Sequence, residues 1–177
     1  MVLTARELTA SDVQTWRRLR QEGTREFPLA FYPTYAEACA FDETVDASFL
    51  EDGGRFGVFD GTECVGIAAI TQPSFSRAKH RAEIGAVYVR KRAHGTGAAD
   101  ELLHAMFAWA TDRNVWQIEL HVAAADPKAQ RFYKRFGFRE VGRIPSGIVT
   151  EQGAHDDLIY VLQTALTPNG LKDPSLA

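Results

Sequence analysis

Two periods of apolar and polar residues run along the chain, and the points where one gives way to the other mark out the elements. Val13, Trp16 and Leu19 recur every third residue with Arg17 and Arg20 beside them, and the preceding "TASD" offers Thr9 or Ser11 as N-cap. This predicts a helix after a short strand-like segment, Met1 to Leu8. "EFPLAFYPTYAEACAF" holds two prolines and five aromatics and predicts a loop with short helical turns. The apolar runs 55–59 and 64–70 flank "DGTE", whose Asp60-Gly61 pair signals a tight turn and hence a hairpin. In "HRAEIGAVYV", Ala82, Ile84 and Ala86 alternate until Val87 and Val89 take over out of phase, which predicts a bulge or local splay near Gly85-Ala86.

Downstream the period lengthens. Leu102, Leu103, Met106, Phe107 and Ala110 continue from Ala99 as one helical face. Trp116, Ile118, Leu120 and Val122 then alternate as a strand, so strand, loop, helix and strand form a crossover unit. "ADPKAQRFYKRFGF" begins with Asp126 as N-cap and Pro127 at the first helical position, carries an apolar stripe of Ala129, Phe132, Tyr133 and Phe136, and stops at Gly137. Residues 138–144 and 157–162 read as two more strands joined by a loop, "PSGIVTEQGAH". One domain over residues 1–165 is expected, followed by a polar tail, 166–177.

Composition narrows the function. With 20 Lys+Arg against 23 Asp+Glu the net charge is −3, so no global field attracts nucleic acid or an anionic membrane, and any anion site must be local. Cys39 and Cys64 have no metal-site or redox spacing and read as reduced thiols of a cytoplasmic protein; no metal is expected. No secretory signal or membrane-spanning run is found.

The chemistry concentrates in "RKRAHGTGAADELL". A strand that feeds a glycine-rich turn and then a helix leaves free N–H groups at the positive end of the helix dipole, a setting that favours phosphate. Two registers compete, Arg92-x-x-Gly95-x-Gly97 and His94-x-x-Gly97-x-Ala99. A nucleotide P-loop would need Lys-Ser or Lys-Thr after the glycines, and a dinucleotide fingerprint fails where Asp100 replaces the last glycine.

Val87-Tyr88-Val89, this turn, the helix, "IELHV", and then Asp126, Ala129, Tyr133, Gly137 and Phe138 appear in order. Together they resemble the GNAT superfamily of N-acetyltransferases, most strongly over residues 80–142. The resemblance implies an α/β (α+β type) fold: a central mixed, mostly antiparallel sheet with splayed central strands, flanked by about four helices. Spacing from Val89 and from Leu102-Leu103 then selects His94-x-x-Gly97-x-Ala99, with histidine where the family usually has glutamine or arginine.

By that resemblance acetyl-coenzyme A is the cosubstrate. Its pyrophosphate would lie on the amides of Gly95, Thr96, Gly97, Ala98 and Ala99, with His94, Asp126 and Lys128 close by, and its pantetheine arm along Val87, Tyr88 and Val89. Arg90, Lys91 and Arg92 would add charge. Asp126 replaces the usual asparagine, and a titratable His94 would make coenzyme affinity fall as pH rises through neutrality. Tyr133 matches the general acid that protonates the leaving thiolate. Glu83 matches a carboxylate general base, with His121 as a weaker candidate. The acceptor would be a primary amine of a small molecule, amino acid or peptide. The aromatic loop 27–41 and the loop 145–155 would wall its site, with Glu37, Asp42, Glu151, Asp156 and Asp157 nearby. Homodimers through an edge strand are common in the family. A non-catalytic acyl-coenzyme A sensor is the alternative reading.

Overall fold

A computed structural model describes residues 2–164; the tail assigned to 166–177 lies outside the described residues. Seven strands form one sheet: β1 (Leu3–Glu7), β2 (Arg55–Asp60), β3 (Glu63–Thr71), β4 (Arg81–Val89), β5 (Gln117–Ala123), β6 (Arg139–Thr150) and β7 (Gly153–Gln163). Their spatial order is β1-β2-β3-β4-β5-β7-β6. Among the described residues only β4 and β5 run parallel, and the crossover between them is the helix the sequence predicts. Among the described residues five α-helices flank the sheet: α1 (Val13–Glu26), α2 (Tyr35–Ala40), α3 (Glu43–Glu51), α4 (Ala98–Asp112) and α5 (Pro127–Arg135).

Each face of the sheet has its own core. Leu102, Leu103 and Met106 of α4 pack with Ile70, Ile84, Ile118 and Leu120 on one face. Trp16 and Leu19 of α1 pack with Cys64, Ile67 and Tyr88 on the other. Among the described residues no helix is long and apolar enough to cross a membrane.

Two elements depart from the sequence pattern. The periodicity gives no sign of α3, because its main anchor is a charge. Asp46, fully buried, accepts from Arg17 Nη1 at 2.6 Å and from Arg20 Nη2 at 2.9 Å on α1. The segment 145–155 is not a loop, since β6 runs on to Thr150 and turns tightly into β7 at Gly153. Pro145 and Ser146 sit at a break in register between Ile144 and Ile148, with Ser146 at φ 52°. Proline has no N–H for the ladder, so a bulge at this edge strand absorbs it and pairing resumes.

The bulge expected near Gly85-Ala86 is present. Ile67 pairs with Tyr88 but Ala69 with Gly85, so Ala86 and Val87 together face a single β3 residue, and Ala86 takes φ 51°. The extra residue exchanges the faces: Ile84 and Val89 serve the α4 core, while Tyr88 turns into the α1 core.

Candidate active site

β4 and β5 are paired from Arg81–Gln117 to Ile84–Leu120 and then part. Beyond that rung β4 follows β3 and β5 follows β7, which opens a cleft of about 480 Å³ between Gly85–Val89 on one wall and His121–Ala123 on the other. Arg90 N–H donates to Val65 O at 2.9 Å, so Tyr88 and Arg90 turn their backbone groups to β3 and Val89 turns its own to the cleft. Phe27, Leu29 and Ala30 from the aromatic loop close one end of the cleft, and α5 borders it with Lys128, Phe132 and Tyr133.

At the mouth of the cleft two glycines lead into α4. Gly97 caps α4 at φ 94° and Gly95 has φ 76°, conformations that L side chains rarely adopt. The first helical bond runs from Glu101 N–H to Gly97 O, which leaves the amides of Ala98, Ala99 and Asp100 ahead of it, at the positive end of the dipole. A Cβ on Gly95 or Gly97 would meet no heavy atom within 4 Å, so open space lies in front of both. Thr96 faces the other way: its hydroxyl donates to Ala93 O at 2.7 Å and tightens the turn.

Of the cations expected around the turn, Lys128 lines the cleft and Arg90, Lys91 and Arg92 do not. Arg90 is held by Glu22 and Glu63 at 2.7 Å, Lys91 by Glu26 at 3.6 Å and Arg92 by Glu63, and none of the three lines the cleft. Those interactions fasten the turn to α1 and to the β2–β3 hairpin. Lys128 and Arg135 of α5 line the cleft instead, Arg135 paired with Asp100 at 2.6 Å. His94 acts as a brace. Its Nε2–H donates to Val89 O at 2.8 Å and its Nδ1 accepts from Lys128 Nζ at 3.2 Å. These contacts engage both ring nitrogens within the protein.

Asp126 caps α5 as the sequence predicts, its Oδ1 accepting from Lys128 N at 3.1 Å and Ala129 N at 2.9 Å. The cap aims the helix so that Tyr133 reaches the cleft. Tyr133 is only 8% exposed and packs edge-on to Phe132 and Phe138. Burial, with Asp126 nearby, pushes its phenol well above the usual tyrosine value, so it keeps its proton. Among the described residues no group hydrogen-bonds its hydroxyl.

The opposite wall joins residues that the sequence names only separately into one side-chain cluster. His121 lines the cleft with its side chain 28% exposed, and its Nδ1 lies 2.9 Å from Oδ2 of Asp157 on β7. Asp157 is 1% exposed and also accepts from Tyr32 Oη at 2.8 Å. Burial and Asp157 push the Tyr32 phenol up to about 12, with a further contribution from the charge of Glu83. Glu83 is exposed, opposite Glu119 in the paired part of β4, and is not among the residues that line the cleft. Of the other acids expected near the acceptor, Glu37 and Asp42 cap α2 and α3, Asp156 accepts from Ser146 N at 3.0 Å, and Glu151 lies in the β6–β7 turn. Neither cysteine lines the cleft, and burial pushes the Cys64 thiol up to about 11.

The parallel pair β4–β5 thus splays in front of the glycine-capped helix α4. The sequence model of the acetyltransferase (GNAT) family matches residues 16–138, more than half of the chain, and the chain belongs to that family. Uncharacterized N-acetyltransferases of Mycobacterium bovis and Mycobacterium tuberculosis are 35% identical over 80 residues, which is 45% of this chain. The chain thus spans about half the length of these curated relatives, 49%. A putative acetyltransferase of Salmonella typhimurium, solved with its cofactor acetyl-CoA, superposes with TM-score 0.80 at 16% identity, over 98% of this chain and 99% of its own. A GNAT-family acetyltransferase of Streptococcus pneumoniae gives TM-score 0.78 at 18% identity, over 92% and 99%.

Proposed function

We propose that the cleft binds acetyl-coenzyme A and that the protein transfers the acetyl group directly to a primary amine. The observation that carries this reading is the parting of β4 from β5 in front of the α4 amides. It supplies unpaired backbone for an amide-bearing arm and a cradle for a diphosphate in one continuous groove. The amides of Ala98 and Ala99, the open space at Gly95 and Gly97, and the Lys128 ammonium fit a diphosphate. The backbone of Val87 and the N–H of Val89 fit the pantetheine, the Val89 carbonyl being taken by His94.

Within that frame Tyr133 is the general acid. Its raised pKa keeps the phenol protonated at neutral pH, ready to give a proton to the departing thiolate. The attacking nitrogen must be neutral, yet only about one in 10³–10⁴ lysine-like amines is neutral at pH 7. The acceptor wall is suited to bring such a cation in, because Glu83 and Asp157 place negative charge around Tyr32. No cysteine is positioned for an acyl-enzyme, so the amine attacks the thioester itself.

The test is thiol release from acetyl-coenzyme A against a panel of small amines, amino acids and lysine-containing peptides, with coenzyme binding followed by calorimetry. Transfer to at least one amine is expected. Tight coenzyme binding with no transfer to any of them would favour the sensor reading.

A further inference from the structure

We infer that His121 is the general base of the transfer, with Asp157 as its positioning residue and Tyr32 as the clamp on Asp157. This rests on the acetyltransferase reading and moves the base away from Glu83. Asp157 is a carboxylate buried to 1% exposure, and both of its hydrogen-bond partners, His121 Nδ1 and Tyr32 Oη, meet the same oxygen, Oδ2. Its other oxygen, Oδ1, is buried without a partner. A buried carboxylate can only accept, so Nδ1 carries the ring hydrogen and the Nε2 lone pair is left free. Among the described residues nothing hydrogen-bonds Nε2, and His121 lies on the cleft wall across from Gly85 and Ala86. Asp157 thus fixes the tautomer and the orientation of the ring.

The protons balance. The acceptor ammonium gives one proton to His121 Nε2, which passes it to water. The neutral nitrogen then attacks the thioester carbon, forming the C–N bond. As the C–S bond breaks, Tyr133 protonates the thiolate, and the surplus proton on the nitrogen replaces the one Tyr133 gave. One proton is released for each acetyl group transferred. Glu83 is less well placed, being exposed and outside the cleft lining. The charged and titratable groups that face His121 are Asp157 from β7, Tyr32 from the aromatic loop and Glu119 on its own strand. Glu83 of β4 acts on Tyr32.

Ring-nitrogen NMR of the free protein, with the His121 signals assigned by their loss in His121→Gln, is the first measurement. It needs neither acceptor nor coenzyme. The Nδ1–H tautomer is expected at alkaline pH, and partial loss of it in Asp157→Asn or, more mildly, Tyr32→Phe. An Nε2–H tautomer in the wild type overturns the proposal. The second is kcat/KM against pH for the amine that turns over fastest in the panel. His121→Gln is expected to lower it about 100-fold or more and to remove the acidic limb, with the KM for acetyl-coenzyme A held within about twofold. Asp157→Asn should shift that limb to lower pH, because a negative charge beside the imidazolium is gone, while Glu83→Gln should keep it. An acidic limb that survives His121→Gln and vanishes in Glu83→Gln assigns the base to Glu83 and overturns the inference. If no amine is acetylated at all, the acetyltransferase reading fails and the role of His121 as base falls with it, whatever its tautomer.

Discussion

The wall formed by β4 and the start of α4 offers backbone groups, whereas the wall formed by β5, β7 and the aromatic loop offers side chains. On the first, the useful features are amides, a strand edge that β5 no longer covers beyond Ile84, and two glycines at positive φ. All lie within one stretch of chain, 84–99. On the second, His121 and Asp157 are 36 residues apart and Tyr32 is 125 residues from Asp157. Tyr133 borders the cleft from a third element, α5. A diphosphate and an amide-bearing arm are met well by fixed dipoles, while moving a proton needs a titratable group held in one tautomer. The difference predicts that the coenzyme wall is sensitive to backbone conformation and the acceptor wall to side-chain chemistry.

The largest effect that would separate the functions is at Tyr133. Tyr133→Phe should lower kcat by about 10²–10⁴-fold while leaving the dissociation constant of acetyl-coenzyme A, measured by calorimetry, nearly unchanged. An equal loss in both would place Tyr133 in binding rather than chemistry. Because the phenol is raised, its acid form is lost only as pH climbs through that higher value, so the wild-type kcat should show no fall attributable to Tyr133 between about pH 8 and pH 10.

Gly97→Ala is the complementary break on the backbone wall. Forcing a side chain to φ 94° costs about 1–2 kcal/mol, and the new methyl occupies the open space before the amides. Coenzyme affinity should fall about tenfold or more and the melting temperature should drop, with the kcat of the saturated enzyme retained. Retained affinity would move the anion site elsewhere. Lys128→Ala should weaken coenzyme binding by a smaller factor, about fivefold at low salt and less at high salt, as for an exposed ionic contact of about 1 kcal/mol. Arg92→Ala should change affinity least, within about twofold, because its guanidinium is held by Glu63 and does not line the cleft. A tenfold loss there would show that the turn's cations reach the phosphates after all.

Much of the coenzyme wall was legible in the sequence because its information is local. The slip of phase at Gly85-Ala86 marked the bulge, Gly95 and Gly97 marked the turn, and Asp126-Pro127 marked the start of α5. Periodicity failed where a charge or an imino acid decided the outcome. α3 is anchored by Asp46, which reads as a surface residue until its two arginines are seen, and the bulge after Ile144 let a proline-containing segment remain in strand. Arg90, Lys91 and Arg92, expected to serve the phosphates, are instead ion-paired outside the cleft lining. Composition shows that three cations stand before the helix, not that Glu22, Glu26 and Glu63 lie within reach of them.

The sequence by itself determined the order of elements, the glycine-capped start of α4 and the place of Tyr133 on α5, because each follows from residues a few positions apart that share one backbone. The tertiary structure alone decided which charges face the cleft and which imidazole is backed by a buried carboxylate. Whether an acid is a helix cap, as Glu37 and Asp42 are, or the partner of a histidine, as Asp157 is, depends on what packs against it from distant parts of the chain. Burial, which no local pattern encodes, is what turns that contact into chemistry.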